Sequence, residues 1–275
     1  MAERAAGRRR RLLLLPAVAV LAAGCGSSAD PAKSGTSPGS AGRTSEGSSS
    51  AITGTVTVFA AASLTETFGM LARQFQAARP GVTVRLNFGA SSALALQIDQ
   101  GAPADVFASA SAKNMAQVVS AKAAATSTVF VRNVLEIAVP PGNPAGITGV
   151  SDLARAGVKV ALCQPQVPCG AASQQVFGKA HLRVRPVTLE QDVKSTLTKV
   201  ETGEVDAGVV YVTDVRAAGA KVRGVAIPAG SNASTEYPIA TLSRAANPTA
   251  ASAFVRYVLS AAGQRVLSAA GFGKP

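Results

Sequence analysis

Four short segments combine small residues, hydroxyl groups and helix starts in a pattern that favours anion binding. They are residues 60–66, 89–92, 168–171 and 190–193. In each segment a strand-like stretch gives way to a helix-like one, and the first N–H groups of a helix have no intrahelical acceptor. These N–H groups, together with the helix macrodipole, attract an anion without any Lys or Arg. The four junctions therefore predict an anion site built from neutral donors.

The first junction also contains a specific helix-start pattern. Ser63 is followed three residues later by Glu66, which is the spacing of a capping box. This spacing predicts that Ser63 is the N-cap residue of the following helix. Helix capping alone is a structural role, so the pattern does not by itself assign Ser63 to a binding site.

The elements that must position these junctions form an α/β pattern. From Gly54 onward strand-like segments alternate with helix-like ones, which favours largely parallel sheets with helices between the strands. Predicted strands cover residues 55–59, 82–86, 106–108, 134–139, 158–162, 184–188, 208–212 and 222–227. Predicted helices begin at residues 63 and 91 and cover 171–179, 193–202, 214–218 and 249–269. In an open α/β sheet such junctions gather at the carboxyl ends of the strands, where ligands bind.

The N-terminal region has the features of an export signal. A cluster of arginines at residues 8–11 precedes an apolar run over residues 12–23, which is the order of a secretory signal. The run is too short for a membrane-spanning helix, which needs about 20 apolar residues. The segment LAAGC ending at Cys25 resembles a bacterial lipoprotein box, although Ala22 stands where Leu is usual. We therefore expect a signal peptide over residues 1–24 and a lipid anchor on Cys25.

Residues 25–50 are predicted to be a disordered tether between the anchor and the folded part. Ser and Gly dominate this segment and it has no large apolar side chain to bury, so it cannot form a core. The whole chain has a net charge of +12, and the arginine-rich signal accounts for part of it. The remaining basic residues are dispersed and the chain has few aromatic residues, which argues against nucleic acid as a partner.

Two cysteines remain after Cys25. Cys163 and Cys169 would lie in a compartment where disulfides persist, and we predict that they pair. A metal site or a catalytic thiol is the weaker alternative. Structural zinc needs about four ligands, and the chain has a single histidine, His181, which we expect to be exposed.

Six stretches of the sequence resemble the periplasmic molybdate-binding proteins, in the order of that family. They are VFAAASLTETF, FGASSALALQIDQGAPADVFASA, QVPCGAASQQ, LEQDVKSTL, AGVVYVTD and STEYPIA. The resemblance implies a two-lobed periplasmic binding protein fold of type II (Venus flytrap), in which each lobe is a mixed sheet flanked by helices. It places the first lobe at residues 54–132 plus 238–275 and the second at 133–237, with the hinge near Asn133 and Tyr237.

The resemblance also implies a set of ligand donors. It assigns the oxyanion to the hydroxyls of Ser63 and Ser91, the backbone N–H groups of Cys169 and Val193, and the hydroxyl of Tyr211. Ser92 is expected to be an extra donor. The carboxylates of Asp105, Asp192 and Glu190 would repel a dianion, so they are assigned to turns, caps or interlobe hydrogen bonds.

Each implied donor also has a purely structural interpretation. Ser91 and Ser92 would also serve as helix caps, Val193 as a core residue of an amphipathic helix, and Tyr211 as a buried strand tyrosine. Their joint match to one family favours the ligand roles.

The function implied is capture of molybdate, and of tungstate, outside the cell membrane and delivery to an ABC transporter permease. A binding protein for another tetrahedral oxyanion such as sulfate is the alternative. We expect a lipid-anchored monomer on the outer face of the membrane, without cofactor, catalysis or direct ligands to molybdenum. A serine hydrolase built on Ser63 or Ser91 is disfavoured because there is no G-x-S-x-G elbow. A structural lipoprotein without a small ligand is the third class considered.

Overall fold

The computed structural model describes residues 52–275. The predicted signal peptide, the lipid attachment at Cys25 and the tether lie outside these residues. Within residues 52–275 no helix combines the length and the apolar character needed to cross a membrane.

Residues 52–275 form nine strands and eight α-helices, with short 3-10 turns between some of them. The strands are β1 (Gly54–Ala61), β2 (Val82–Gly89), β3 (Val106–Ala108), β4 (Thr128–Val139), β5 (Val160–Cys163), β6 (Thr188–Glu190), β7 (Ala207–Tyr211), β8 (Arg223–Ala226) and β9 (Ser234–Thr241). The helices are α1 (Thr65–Ala77), α2 (Ser91–Asp99), α3 (Ala112–Ser120), α4 (Pro168–Lys179), α5 (Val193–Glu201), α6 (Val212–Ala218), α7 (Pro248–Leu259) and α8 (Ala261–Ala269).

The strands form a mixed sheet whose order is β2-β1-β3-β9-β4-β7-β5-β6. On one side β1 runs parallel to β2 and β3, and on the other β5 runs parallel to β6 and β7. The long strand β4 joins the two sides. Its residues 128–134 pair with β9, its residues 135–138 pair with β7 on one side, and its residues 136–139 pair with β8 on the other. The α/β class predicted from the alternating pattern is therefore confirmed.

The apolar core is divided in the same way as the sheet. One cluster surrounds β1 and contains Leu64 of the following 3-10 turn together with Phe68, Leu71 and Phe75 of α1, all fully buried. A neighbouring cluster lies between α2, α3 and β3. A separate cluster fills the region of residues 135–233 and reaches Ala62 and Ala90 at the opposite side. The lobe boundaries inferred from the resemblance stay a prediction.

Several predicted elements differ from those observed. Of the predicted strand 184–188, only residue 188 lies in a strand, because the stretch that pairs with β5 is β6, residues 188–190. The helix predicted over residues 249–269 is two helices, because Ser260 ends α7 and its side chain caps α8. The helix α3 and the strand β9 were not among the predicted elements.

Candidate functional site

Five of the residues named from the sequence border one small cavity. They are Ser63, Ser91, Cys169, Val193 and Tyr211, and each is at most 4% exposed. The cavity is small, with about 10 Å³ open to the centre of a water molecule, which is close to the least space that holds one water. The remaining lining residues are Ala61, Ala62, Gly89, Ala90, Ala110 and Pro168, so no lining side chain is charged.

The cavity lies where the carboxyl ends of five strands meet. Ser63 lies in the 3-10 turn after β1, and Ser91 is the first residue of α2, directly after β2. Cys169 is in the first turn of α4, Val193 is the first residue of α5, and Tyr211 is the last residue of β7. Parallel strands place their carboxyl ends at the same edge, and this edge is the reason that residues so distant in sequence come together.

The capping-box prediction at Ser63 is wrong. A 3-10 turn, Ala62–Leu64, separates β1 from α1, so that the helix begins at Thr65 and Ser63 makes no capping hydrogen bond. The Ser63 hydroxyl instead lies 2.8 Å from the hydroxyl of Tyr237. The carboxylate of Glu66 faces Lys194, with Nζ 2.9 Å from both carboxylate oxygens. Ser63 is therefore free of a helix-capping role.

Ser91 also makes no helix-capping bond through its side chain. Its Oγ accepts a hydrogen bond of 2.8 Å from the backbone N–H of Ala110. Because one lone pair is occupied by an obligatory donor, the Ser91 hydroxyl proton is available to an acceptor in the cavity. Ser92 is half-buried and does not border the cavity, so its role as an extra donor has no geometric support.

Two residues of the cavity lining, Cys169 and Val193, lie in the first turns of helices. In α4 the first residue is Pro168, which has no N–H, and the bond from Ala171 N to Val167 O closes the first helical turn behind Cys169. In α5 the side chain of Asp192 caps the N–H of Ser195 at 2.9 Å. Within residues 52–275 no protein acceptor meets the N–H of Cys169 or of Val193, as expected for the first turn of a helix.

The Tyr211 hydroxyl is buried without a hydrogen-bond partner among the described residues. Burial raises the pKa of Tyr211 well above its ordinary value; the nearby hydroxyls of Thr235 and Tyr237 oppose the rise and the charge of Asp214 adds to it. The phenol therefore keeps its proton at neutral pH. Donating that proton to an acceptor would remove the free-energy cost of leaving the buried hydroxyl unpaired. An unpaired buried hydroxyl at a cavity is the clearest single indication of a missing ligand here.

An ion network with one fully buried member, Asp214, joins segments that also carry cavity residues. Lys194 follows Val193 and lies 2.9 Å from Glu66 and 3.1 Å from Asp214, which is fully buried three residues after Tyr211. Burial raises the pKa of Asp214, while Lys194 and the Tyr211 N–H oppose this effect. Burial would lower the pKa of Lys194, but the two carboxylates outweigh it and raise that pKa. The network holds three cavity-bearing segments together without a charge on the cavity surface.

The network and the partner of Ser63 were missed by sequence reasoning. The residues concerned are Glu66, Lys194, Asp214, Tyr237 and Asn133. Tyr237 belongs to one of the stretches that carry the family resemblance, but nothing in the sequence pairs it with Ser63.

The acidic residues excluded from ligation are engaged elsewhere, as predicted. Asp105 accepts from the backbone N–H groups of Thr57 and Asn247, and Glu190 accepts from Thr188 Oγ1. His181 is exposed, also as predicted. Within residues 52–275 no group of three potential metal-binding side chains converges.

The predicted disulfide between Cys163 and Cys169 is present, with a Cα–Cα distance of 5.8 Å. It joins the end of β5 to the first turn of α4. Cys163 Sγ also lies 3.3 Å from Thr196 Oγ1 on α5. The bridge therefore connects the two helix starts that supply the Cys169 and Val193 N–H groups.

Reduction of this disulfide is expected to lower the free energy of unfolding by about 2–2.5 kcal/mol, the chain-entropy value for so short a loop. It should also weaken anion binding, because the Cys169 turn loses its covalent restraint. Denaturant unfolding and calorimetric titration with and without reductant measure both effects. A Cys163→Ala, Cys169→Ala double variant is the control, since reductant should not change it. Equal affinity with and without reductant would limit the bridge to stabilisation.

Comparisons with known proteins agree with this geometry. The bacterial extracellular solute-binding protein family matches residues 56–273. The molybdate-binding protein ModA of Mycobacterium tuberculosis is 43% identical over 221 residues, which cover 80% of this chain and 85% of that protein.

Solved structures support the two-lobed fold. The periplasmic molybdate-binding protein of Azotobacter vinelandii superimposes with a TM-score of 0.72 at 24% identity, over 80% of this chain and 99% of that one. The sulfate-binding protein SubI of Mycobacterium tuberculosis superimposes with a TM-score of 0.69 at 21% identity, over 79% of this chain and 86% of that one. Both matches concern the fold.

Proposed function

Because this chain belongs to the bacterial extracellular solute-binding proteins and, within them, to the molybdate-binding family, we propose that it captures molybdate outside the cytoplasm and delivers it to an ABC transporter permease. Tungstate, which has the same charge and shape, is expected to bind as well. The observation that supports this most directly is the neutral cavity with an unpaired tyrosine hydroxyl at the junction of five strand ends.

The anion is held in this proposal by five neutral donors. They are the hydroxyls of Ser63, Ser91 and Tyr211 and the backbone N–H groups of Cys169 and Val193. A fully deprotonated oxyanion offers only acceptor oxygens, and hydrogen bonds to a charged acceptor stabilise by about 1.5–3 kcal/mol each. Helix starts at Ser91 and Val193 add favourable dipoles. Neutral donors also allow release, because no salt bridge to the anion has to be broken.

The location of the cavity between two cores suggests how binding is coupled to transport. The donors come from segments on both sides of β4, so an anion that contacts all of them favours the closed arrangement. The closed form would then be recognised by the permease. We propose further that the protein is a monomer held at the outer face of the membrane through lipid on Cys25.

Catalysis is not part of the proposed function. The hydroxyls of Ser63 and Ser91 are bonded to Tyr237 and to the N–H of Ala110, and neither serine has a histidine partner among these contacts. A serine nucleophile needs an adjacent general base. We expect binding without turnover.

Calorimetric titration with molybdate, tungstate and sulfate tests the proposal. Molybdate and tungstate should bind with similar affinity, and sulfate at least about tenfold more weakly, a difference of about 1.4 kcal/mol. The physical reason is that donors fixed around one cavity fit one oxyanion radius.

Phosphate is the control anion in the same titration, because it retains a proton at neutral pH and the backbone N–H groups of Cys169 and Val193 cannot accept a hydrogen bond from it. Sulfate binding as tight as molybdate binding would reassign the protein to another tetrahedral oxyanion. If molybdate, tungstate and sulfate all gave no heat of binding and no thermal shift, oxyanion capture would be rejected altogether.

A further inference from the structure

Two buried polar residues behind Ser63 have no role in the proposed set of anion donors. Tyr237 is 0% exposed and Asn133 is 3% exposed, and they occupy neighbouring positions on the antiparallel strands β9 and β4. A polar group buried at this depth costs free energy unless it is hydrogen-bonded. The bonds that the two residues make therefore constrain the direction in which each group donates.

The orientation of the Asn133 amide is fixed by the backbone. Its Oδ1 lies 3.0 Å from the N–H of Val134, and a backbone N–H can only donate. The oxygen must therefore face Val134, and the NH₂ group must face the opposite side. There Nδ2 lies 2.9 Å from Thr213 Oγ1 and 3.5 Å from the Tyr237 hydroxyl.

This orientation sets the direction of the next hydrogen bond. The Tyr237 oxygen receives the Asn133 donor, and Ser63 Oγ at 2.8 Å is its other hydrogen-bond partner among the described residues, so the phenol proton is best satisfied by pointing to Ser63. Burial raises the pKa of Tyr237 well above its ordinary value, and the proton stays on the phenol. Ser63 then accepts from Tyr237, and its hydroxyl proton is directed to the cavity that Ser63 lines.

The opposite direction would be unsuitable for an anion. If Ser63 donated to Tyr237, only the lone pairs of Ser63 would face the cavity, and two acceptors repel each other. Ser91 avoids the same problem through the N–H of Ala110, which occupies its oxygen at 2.8 Å. In this arrangement the Tyr237 hydroxyl occupies a lone pair of Ser63 Oγ, just as the Ala110 N–H occupies a lone pair of Ser91 Oγ.

We propose that Tyr237 is a positioning residue of the anion site, whose hydroxyl, backed by the Asn133 amide, donates to Ser63 Oγ and makes Ser63 a donor to the anion. This inference rests on the proposed oxyanion function and extends it to residues that do not touch the ligand. Tyr237 also packs edge-on against Tyr211, with ring centroids 5.9 Å apart at 73°. The other Asn133 proton holds Thr213, two residues after Tyr211.

A double-mutant cycle with Ser63 tests the proposal. The four proteins are the parent, Tyr237→Phe, Ser63→Ala and the double variant, each titrated calorimetrically with molybdate. Tyr237→Phe keeps the ring contacts and removes only the hydroxyl, and it should weaken binding about tenfold, the loss of one oriented donor. In the Ser63→Ala background the same change should alter affinity by less than about twofold. A role limited to packing would give equal losses in both backgrounds.

Tyr257→Phe is the matched control. It removes a tyrosine hydroxyl that bonds Gln74 Oε1 at 2.7 Å, away from the cavity, and it should leave the affinity unchanged. Thermal unfolding of each free variant establishes that the proteins compared are folded.

The outcomes separate this inference from the function on which it rests. Parent-like affinity in Tyr237→Phe, or a full loss repeated in the Ser63→Ala background, overturns the positioning role while the parent still binds molybdate. If the parent binds sulfate and not molybdate, the cycle is run with sulfate, and the same two results decide it. If the parent binds none of the three anions, both the function and the inference fail.

Discussion

Tyr211→Phe is expected to weaken molybdate binding by about 10- to 100-fold while leaving the ligand-free protein as stable as the parent or more stable. The Tyr211 hydroxyl is buried and has no hydrogen-bond partner within residues 52–275, and such a group costs about 1–3 kcal/mol in the free protein. A hydrogen bond to a charged oxygen stabilises the complex by about 1.5–3 kcal/mol, and each 1.4 kcal/mol is tenfold in affinity. The substitution is therefore expected to lower the affinity for molybdate while it maintains or raises the stability of the ligand-free protein.

Calorimetry with molybdate and thermal unfolding without ligand measure the two effects separately. The pKa of Tyr211 is raised by burial, so the phenol stays protonated and the loss should be the same at about pH 6 and about pH 9. A variant with parent-like affinity and reduced stability would make Tyr211 a structural tyrosine and remove it from the site.

Gly170→Ala is expected to destabilise the protein by about 1–3 kcal/mol and to weaken molybdate binding at least about tenfold, the equivalent of one lost donor. A Cβ at Gly170 would lie 2.7 Å from Cys163 O and would overlap Gln164 O. These neighbours are backbone atoms inside the disulfide loop, and they cannot rotate away as a side chain could. The first turn of α4 would have to move, and it carries the Cys169 N–H.

Gly178→Ala in the same helix is the control. No atom of the described part of the chain lies within 4 Å of a Cβ at Gly178, so the change should be neutral or stabilising by about 0.5–1 kcal/mol, the usual gain over glycine in a helix. Denaturant unfolding of both variants, with titration of each, provides the comparison. If Gly170→Ala matched Gly178→Ala in stability and affinity, the close contact between the start of α4 and the end of β5 would not be required for anion binding.

The convergence of the site could be anticipated from the sequence because it depends on connectivity. Strand-to-helix junctions in an α/β pattern share an edge of the sheet, and the resemblance singled out Ser63, Ser91, Cys169, Val193 and Tyr211 among the junction residues. All five border the cavity. Their roles as ligands stay a prediction, which the substitutions above test.

The partners of those residues could not be anticipated, because they come from distant segments. The spacing of Ser63 and Glu66 fits a capping box, but a 3-10 turn intervenes and tertiary partners replace both local bonds. Local spacing describes only what neighbours in sequence could do. Tyr237 and Lys194, which take these bonds instead, lie far from both residues in sequence.

The strand β9 illustrates a second limit. Proline cannot donate to a sheet ladder and is disfavoured in strands, so Pro238 obscures this strand in the sequence. The structure accommodates it with a register shift in β4 between Val129 and Val131. Pro238 still contributes its carbonyl, which accepts from the N–H of Ser109 at 2.9 Å.

The shared strand β4 has a consequence for how this protein can change over generations. Its residues 128–134 and 135–139 pair with different neighbours, and successive side chains of a strand point to opposite faces. Inserting or deleting one residue in the middle of β4 would invert the facing of every side chain beyond that point. Substitutions there can be accommodated singly, whereas the residue count of this strand has almost no freedom to drift.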